Sequence, residues 1–444
     1  MTVTTADRLT ADEILRLNRE YTFFSWSAQA KINPIVIDRA EGIYFWDPDG
    51  KRYIDFNSQL MSVNIGHGDK RVADAIAEQA SKLAFAAPQF ATEVRGRLGQ
   101  MLAELTPGDL NTFFFTLGGA EANENALRMA RMVTGRQKVM ARYRSYHGAT
   151  AGAISTTGDP RRWASEPAVP GVVRVLDPQR YPSGESEPLD AHLAYLDEVI
   201  NYEGPSTIAA FILETVVGTN GILIPPDGYI QGVREICTRN NILMVCDEVM
   251  AGFGRTGRWF AVDHWDTVPD LMTMAKGLTS SYLPLGAVAM RHDIAEAFES
   301  KMFYGGLTYS SHPISLAAAL ATIGVYEEDD LIGNARRLGP AMTAHHQRLA
   351  EKHPSVGATR NLGLFGIIDL VRSRDPWTPL TPYNGTSDEM KAIGKFFRDN
   401  GLFTFAPNNS IHTNPPLCIT EEQLAEGFEI IDRALDIADQ AVTG

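Results

Sequence analysis

Two stretches combine an ionisable residue with an apolar strand in a way that could do chemistry. In MVCDEVMAGFGRTG (244–257) Asp247 closes a strongly apolar run, and in LMTMAKG (271–277) Lys276 closes another. Buried charges are costly unless paired. Residues at the carboxyl ends of parallel strands converge on the crevice where α/β sheets bind ligands. Lys276 is the only lysine between Lys138 and Lys301. A lone lysine in apolar surroundings has a lowered pKa, so its amine is nucleophilic near neutral pH, as a Schiff-base lysine must be. A strand-end lysine that simply reaches solvent would look the same in this fragment alone.

Three further segments carry weaker signals. In FFFTLGGAEANENALRMAR (113–131) a strand ends, Gly118-Gly119 permit a tight turn, and a helix follows. The backbone N–H groups of such a turn can cradle a phosphate with help from the helix dipole. Tyr146-His147-Gly148 follows the strand VMARYR (139–144), where an aromatic ring could lie on a flat cofactor. Thr308 offers a hydroxyl in the Gly-flanked loop GGLTYSSHP (305–313). Taken singly, these also fit an ordinary loop, a packed tyrosine with a satisfied histidine, and a surface threonine.

The elements that must position these residues are legible in outline. Continuous apolar runs at 113–115, 208–213, 242–246 and 271–275 alternate with helical patterns, as suits strands buried on both faces of a mainly parallel sheet. One such helix is expected over 120–133, with Ala122, Ala126, Met129 and Val133 on one face. Residues 34–56 read as a hairpin: Ile35 and Ile37 alternate, Ile43 and Phe45 follow, and Asp47-Pro48-Asp49-Gly50 turns the chain before Ile54 and Phe56. Residues 172–190, rich in Pro, Gly and Ser, read as a surface loop. Near residue 325 the texture changes to a helix over 335–353, short strands and a Pro- and Thr-rich loop at 374–388. The expected organisation is a large domain over 61–325 and a smaller one built from 1–60 and 326–444.

Composition excludes partners more than it proposes them. The 444 residues include 40 Lys+Arg and 54 Asp+Glu, a formal net charge of −14. That balance argues against a chain held on nucleic acid. Basic pairs such as Arg161–Arg162 read as isolated and solvated. Three scattered cysteines, Cys237, Cys246 and Cys418, rule out a disulfide scaffold or a Cys-x-x-Cys metal site, and no metal is expected. The start, MTVTTADRLTADEIL, lacks a basic stretch followed by an apolar run, and no stretch reads as a membrane span. A cytoplasmic protein is the expectation.

Taken together, the segments resemble the class III (subgroup II) aminotransferases among the fold type I pyridoxal 5′-phosphate enzymes. The likeness rests on Asp-Glu-Val…Gly-Phe-Gly-Arg-Thr-Gly…Ala-Lys-Gly (247–277), on GIYFWDPDGKRYIDF (42–56), on NIGHGD (64–69) and on Pro415-Pro416-Leu417. It covers nearly the whole chain. It implies an α/β fold, a large domain with a mainly parallel sheet plus a smaller α+β domain. By this resemblance Lys276 holds the cofactor covalently and then shuttles a proton, and Asp247 keeps the pyridine nitrogen protonated. Tyr146 and Val249 cover the two ring faces, the N–H groups of Gly119 and Ala120 hold the phosphate, and Glu214 is a buried supporting carboxylate. Thr308 reaches the cofactor of a neighbouring subunit, which implies a homodimer.

Departures from the family pattern bear on the substrate. Met250 stands where many members have glutamine, and Thr219 stands where diamino-acid members carry a gate glutamate. No arginine lies between Arg398 and Pro415, so the family's usual carboxylate clamp is absent, and Phe405 aligns in its place. Arg142 and, less well placed, Arg144 are the remaining candidates for an acid group. Phe23, Phe24, Trp26 and Met61 align with segments lining the substrate mouth. The expected reaction takes an amino group from a terminal amine or ω-amino acid, such as taurine or β-alanine, to a keto acid, with pyruvate the expected acceptor. The alternatives are an aminomutase or a decarboxylase on the same scaffold.

Overall fold

A computed structural model describes residues 9–179 and 187–443. Strands β1 (Arg39–Glu41), β2 (Tyr44–Trp46) and β3 (Arg52–Asp55) are antiparallel neighbours. The Asp47 carboxylate closes the β2–β3 turn by accepting from the N–H groups of Asp49 and Lys51. The first strand starts later than its pattern suggested: Ile35 and Ile37 alternate, yet pairing begins only at Arg39, opposite Trp46. Alternation records which side chains are half-buried, and a ladder also needs a partner strand in reach.

The apolar runs become a seven-stranded sheet. Its members are β4 (Leu110–Thr116), β5 (Lys138–Arg142), β6 (Val172–Val175), β7 (Ile208–Glu214), β8 (Leu243–Asp247), β9 (Leu271–Met274) and β10 (Gly286–Arg291), in the order β4-β10-β9-β8-β7-β5-β6. β5 to β9 pair in parallel, and β10 is antiparallel to both its neighbours. Every residue of β7 is buried. Val245, between Met244 and Cys246, packs on the face that the helix Gly119–Thr134 covers with Ala122, Ala126, Leu127 and Met129. Met244 and Cys246 point to the opposite core. That is the period of two a two-faced strand requires.

The stretch expected to be a loop over 172–190 is a loop only in part. Val172–Val175 form the edge strand β6, paired with β5, and a helix starts at Leu189. An edge strand of four residues gives a weak sequence signal, and the polar residues after it dominate the composition. Residues 180–186 of that stretch lie outside the described residues.

The helix expected at 335–353 spans Leu331–Lys352. It is followed by β11 (Val356–Leu362), β12 (Phe365–Arg374), β13 (Trp377–Pro379), β14 (Leu402–Phe403) and β15 (Ser410–Thr413). β13 falls inside the Pro- and Thr-rich stretch. β11, β13 and β15 all pair with β12, while β14 runs parallel to β3 and joins residues from both parts of the chain in one sheet. Among the described residues no helix is long and apolar enough to cross a membrane.

Candidate active site

The strands of the central sheet end along one edge, and the loops and turns beyond their ends enclose a cavity of about 440 Å³. Leu117–Ala120 follow β4, Tyr146–Ala149 follow β5, and Glu214 and Asp247 close β7 and β8, where the ladder pairs them directly. Lys276 follows β9, and Leu283–Leu285 lead into the antiparallel β10, whose amino end lies at the same edge. Parallel topology thus collects residues far apart in sequence onto one crevice.

Lys276 sits in a short 3₁₀ turn, Lys276–Leu278, with a left-handed φ of 43°. Such backbone costs about 1–3 kcal/mol and persists only where neighbours hold it. Here Tyr326 Oη donates to Gly277 O at 2.8 Å, and a Cβ on Gly277 would lie 2.6 Å from Asn64 Nδ2 and 2.7 Å from Phe253 Cβ. The turn is pinned between these groups, and only glycine fits there. Burial disfavours the ammonium more strongly than Asp247 and Glu214 favour it, so the Lys276 pKa falls to about 8.

Asp247 is 4% exposed and held by three partners. Asn123 Nδ2 donates to Oδ2 at 2.8 Å, His147 Nδ1 lies 2.7 Å from the same oxygen, and Val249 N–H donates to Oδ1 at 3.0 Å. Thr273 Oγ1 fixes Asn123 by donating to its Oδ1 at 2.6 Å. This chain of partners offsets the desolvation of a buried carboxylate. Glu214 takes N–H bonds from Tyr146 at 3.0 Å and Gly218 at 2.8 Å, tying the loop that carries the aromatic ring to the loop after β7. Burial raises the Glu214 pKa.

The cavity is lined by the Asp247 and Glu214 carboxyl groups, the Lys276 amine and the start of a helix. Tyr146 and Val249 both line it, and so do Gly119 and Ala120 at the start of the helix Gly119–Thr134. The first N–H groups of that helix have no intrahelical acceptors. Gly148 brings the Tyr146 loop down onto this helix start: its φ is +129°, and a Cβ there would lie 2.4 Å from Ala120 Cβ. A flat ring compound carrying a phosphate, a carbonyl and a basic ring nitrogen matches these features.

Gly119, Ala120, Tyr146, Glu214, Asp247, Val249 and Lys276, read from the sequence, therefore stand around one cavity. Thr308 does not: it is exposed on its own chain. Phe24 is half-buried, Trp26 is 67% exposed, and neither lines the cavity of the single chain. Met61 is buried in the core, and Phe405 packs against His412 at a ring separation of 5.2 Å. Arg142 has a task different from the expected anion contact. It is 2% exposed, donates from Nη2 to Glu214 O, and lies 3.4 Å from Asp177 Oδ1. An arginine with its guanidinium inside the protein braces β5 and β7 instead of meeting a substrate.

Sequence reasoning missed Asn123, the partnered role of His147, and Arg161. Arg161 is no solvated surface cation. Its Cζ stands 3.6 Å from the centroid of the Tyr146 ring, its Nη2 donates to Thr219 Oγ1 at 2.7 Å, and Asp159 holds the rest of the fork. The available signal was local: Asp-Pro-Arg places Asp159 as the cap of a short 3₁₀ turn, where it accepts from Arg161 N–H.

Residues 26–435 match the family Aminotransferase class-III. The chain is a class-III aminotransferase. It is 33% identical over 426 residues to the putrescine–pyruvate aminotransferase of Pseudomonas aeruginosa, covering 92% of this chain and 91% of the relative. It is 30% identical over 447 residues to the taurine–pyruvate aminotransferase of Bilophila wadsworthia, covering 96% and 98%. Among solved structures, the taurine:2-oxoglutarate aminotransferase of Bifidobacterium kashiwanohense, in complex with PLP and glutamate, superposes with a TM-score of 0.95. It is 41% identical, with 98% of this chain and 100% of that one covered. The aminotransferase has the fold type I architecture and uses pyridoxal 5′-phosphate (PLP), and the cavity's residues suit that group.

Proposed function

We propose that this aminotransferase moves an amino group from a terminal amine or ω-amino acid, taurine and β-alanine among them, to a keto acid. The observation that carries the reading is the pairing of Lys276, its pKa lowered to about 8, with the buried, oriented Asp247 at the ends of two neighbouring strands. When bound, the PLP ring supplies an electron sink for a carbon that loses its proton. Lys276 would hold the cofactor and carry that proton, as an amine with a pKa near the working pH can. Asp247, oriented by Asn123 and His147, would keep the ring nitrogen protonated. Tyr146 and Val249 would flank the ring, and the N–H groups of Gly119 and Ala120 would take the phosphate. Glu214 would fix the Tyr146 loop. Thr308, exposed on its own chain, would complete the phosphate site of a second copy in a homodimer.

The substrate side supports a donor whose amine is terminal. Leu117, Met250, Leu283 and Leu285 give the cavity apolar walls, and Thr219 supplies no charge at the gate position. Arg161, bonded to Thr219, would meet an acid group such as a sulfonate or carboxylate. Pyruvate, the acceptor expected from sequence, is that of two relatives by name. The 41%-identical structure favours 2-oxoglutarate as a second reading. Crossing a panel of amines with these two acceptors, and assaying alanine and glutamate, tests both parts. Taurine, β-alanine or a simple terminal amine should support turnover. Activity confined to α-amino donors would contradict the donor class.

A further inference from the structure

Arg255 is fully buried, and it stands outside the lining of the cavity that holds Lys276. Its guanidinium makes four donor bonds, none of them to an acid. Nη1 donates to Pro415 O at 2.6 Å and to Leu364 O at 3.2 Å, and Nη2 to Asn64 Oδ1 at 2.7 Å and Ser58 Oγ at 3.0 Å. Nε is buried and has no partner among the described residues. The carboxylate that faces it, Asp55, is taken by Gln59 N–H at 2.9 Å, Gln59 Nε2 at 3.0 Å and His67 Nε2 at 2.9 Å. Its other titratable neighbours, Tyr326 and Cys418, are held in their neutral forms by burial. Burial lowers the Arg255 pKa to about 10, which leaves the guanidinium charged at neutral pH. A cation buried without a counter-ion is costly, and an apolar residue of similar volume often serves a fold better. The charge calls for a use beyond packing.

Asn64 connects Arg255 to the Lys276 turn. Because Arg255 donates to its Oδ1, the Asn64 amide must present Nδ2 on the other side, where it donates to Phe253 O at 3.0 Å. That Nδ2 stands only 2.6 Å from the place a Cβ on Gly277 would take, so the amide abuts the turn itself. The same guanidinium gathers segments from both ends of the chain. Ser58 Oγ, which accepts from Arg255, donates onward to Asn414 O at 2.8 Å, and Leu417 N–H donates to Asn64 O at 2.7 Å. Residues 58–64, 364 and 414–417 are thereby seated around one charge beside the turn. The charged groups that face Lys276 fall into two sets. Asp247 and Glu214 favour its ammonium, whereas Arg161 and Arg255 add to the effect of burial against it.

We propose that Arg255 is a positioning residue for Lys276: through Asn64 it fixes the turn that carries the lysine, and its unpaired charge keeps the lysine amine free of its proton. The inference rests on the aminotransferase reading above, in which that amine holds the cofactor, and adds to it the group that readies the amine.

The test reads Lys276 directly in the full-length, cofactor-free chain. Acetic anhydride acylates an amine only in its unprotonated form, so the rate of acetylation at Lys276, followed by mass spectrometry across pH, gives the amine's midpoint. The wild type should show a midpoint near 8. Arg255→Gln keeps two donors and loses the charge, and should move the midpoint up by about one pH unit. Arg255→Lys loses the fork and keeps the charge, and should leave the midpoint near that of the wild type. Asn64→Asp leaves the arginine in place and gives it a counter-ion. It should shift the midpoint upward as well, and it decides the matter where Arg255→Gln does not fold. Asn64→Ala frees the turn without touching the charge, and in the holoenzyme should lower kcat about tenfold with KM less affected. A midpoint that stays near 8 in the folded Gln or Asp variant would overturn the proposal. So would equal shifts in Arg255→Gln and Arg255→Lys, the mark of a structural role alone. A wild type that transaminates no amine would strike the aminotransferase reading, and the acetylation midpoints would still decide the role of Arg255.

Discussion

Lys276 is a buried amine whose folded-state pKa of about 8 lies below its ordinary 10.5. A lowered lysine pKa means that protonation penalises the folded cofactor-free protein. The penalty is complete below pH 8 and fades as pH rises toward 10.5. The apoprotein should therefore gain stability over that window relative to Lys276→Ala, as measured by denaturant titration at several pH values. The same shift sets reactivity. Capture of pyridoxal phosphate by the apoenzyme, followed by its visible absorbance, should rise with pH around a midpoint near 8, and a midpoint near 10.5 would contradict the burial argument. Asp247 acts through charge, which an amide cannot supply. Asp247→Asn should keep the fold and lower kcat about a hundredfold or more, with circular dichroism unchanged. Both residues were legible in the sequence, because an ionisable group at the end of an apolar strand has few structural uses. Asn123 was not legible in this way, because its partners Asp247 and Thr273 lie more than a hundred positions away and no local pattern encodes such meetings. Arg161 was legible only in its local tie to Asp159, not in its reach to Thr219.

At the scale of elements, the buried strands were read most easily. β7, β8 and β9 are continuous apolar runs because helices cover both faces of the sheet. β6 and the start of the hairpin were misplaced, since an edge or a half-exposed strand is set by its partner more than by its own residues. The same elements position the site through close approaches that depend on glycine. Gly148 lets the Tyr146 loop rest on the helix start at Ala120. Gly148→Ala combines an unfavourable φ with a contact at 2.4 Å, so it should push the two apart. We expect it to cost about 2–4 kcal/mol and to weaken pyridoxal-phosphate binding, seen as a lower Tm and a higher Kd in the same preparation. An unaltered Kd would mean that the helix start does not hold the phosphate.

The whole molecule bears on assembly and on the reaction. Exposed Trp26, Tyr304 and Tyr309 and the exposed Thr308 on the single chain suit a surface covered by a second copy. Light scattering should give twice the chain mass, and Thr308→Ala should weaken cofactor binding without disturbing its own subunit's core. The net charge of −14 does not oppose an anionic cofactor, because its proposed phosphate contacts are local N–H groups. The central claim is that an amino group passes from donor to cofactor and then to acceptor. The most direct measurement is the half-reaction: holoenzyme with donor and no keto acid, followed by rapid quench and product analysis. The account predicts one equivalent of aldehyde or ketone per site with loss of the yellow colour. Both then stop until a keto acid restores the colour and yields one equivalent of its amino acid. Continued turnover of the donor alone, to an isomerised or decarboxylated product, would contradict it.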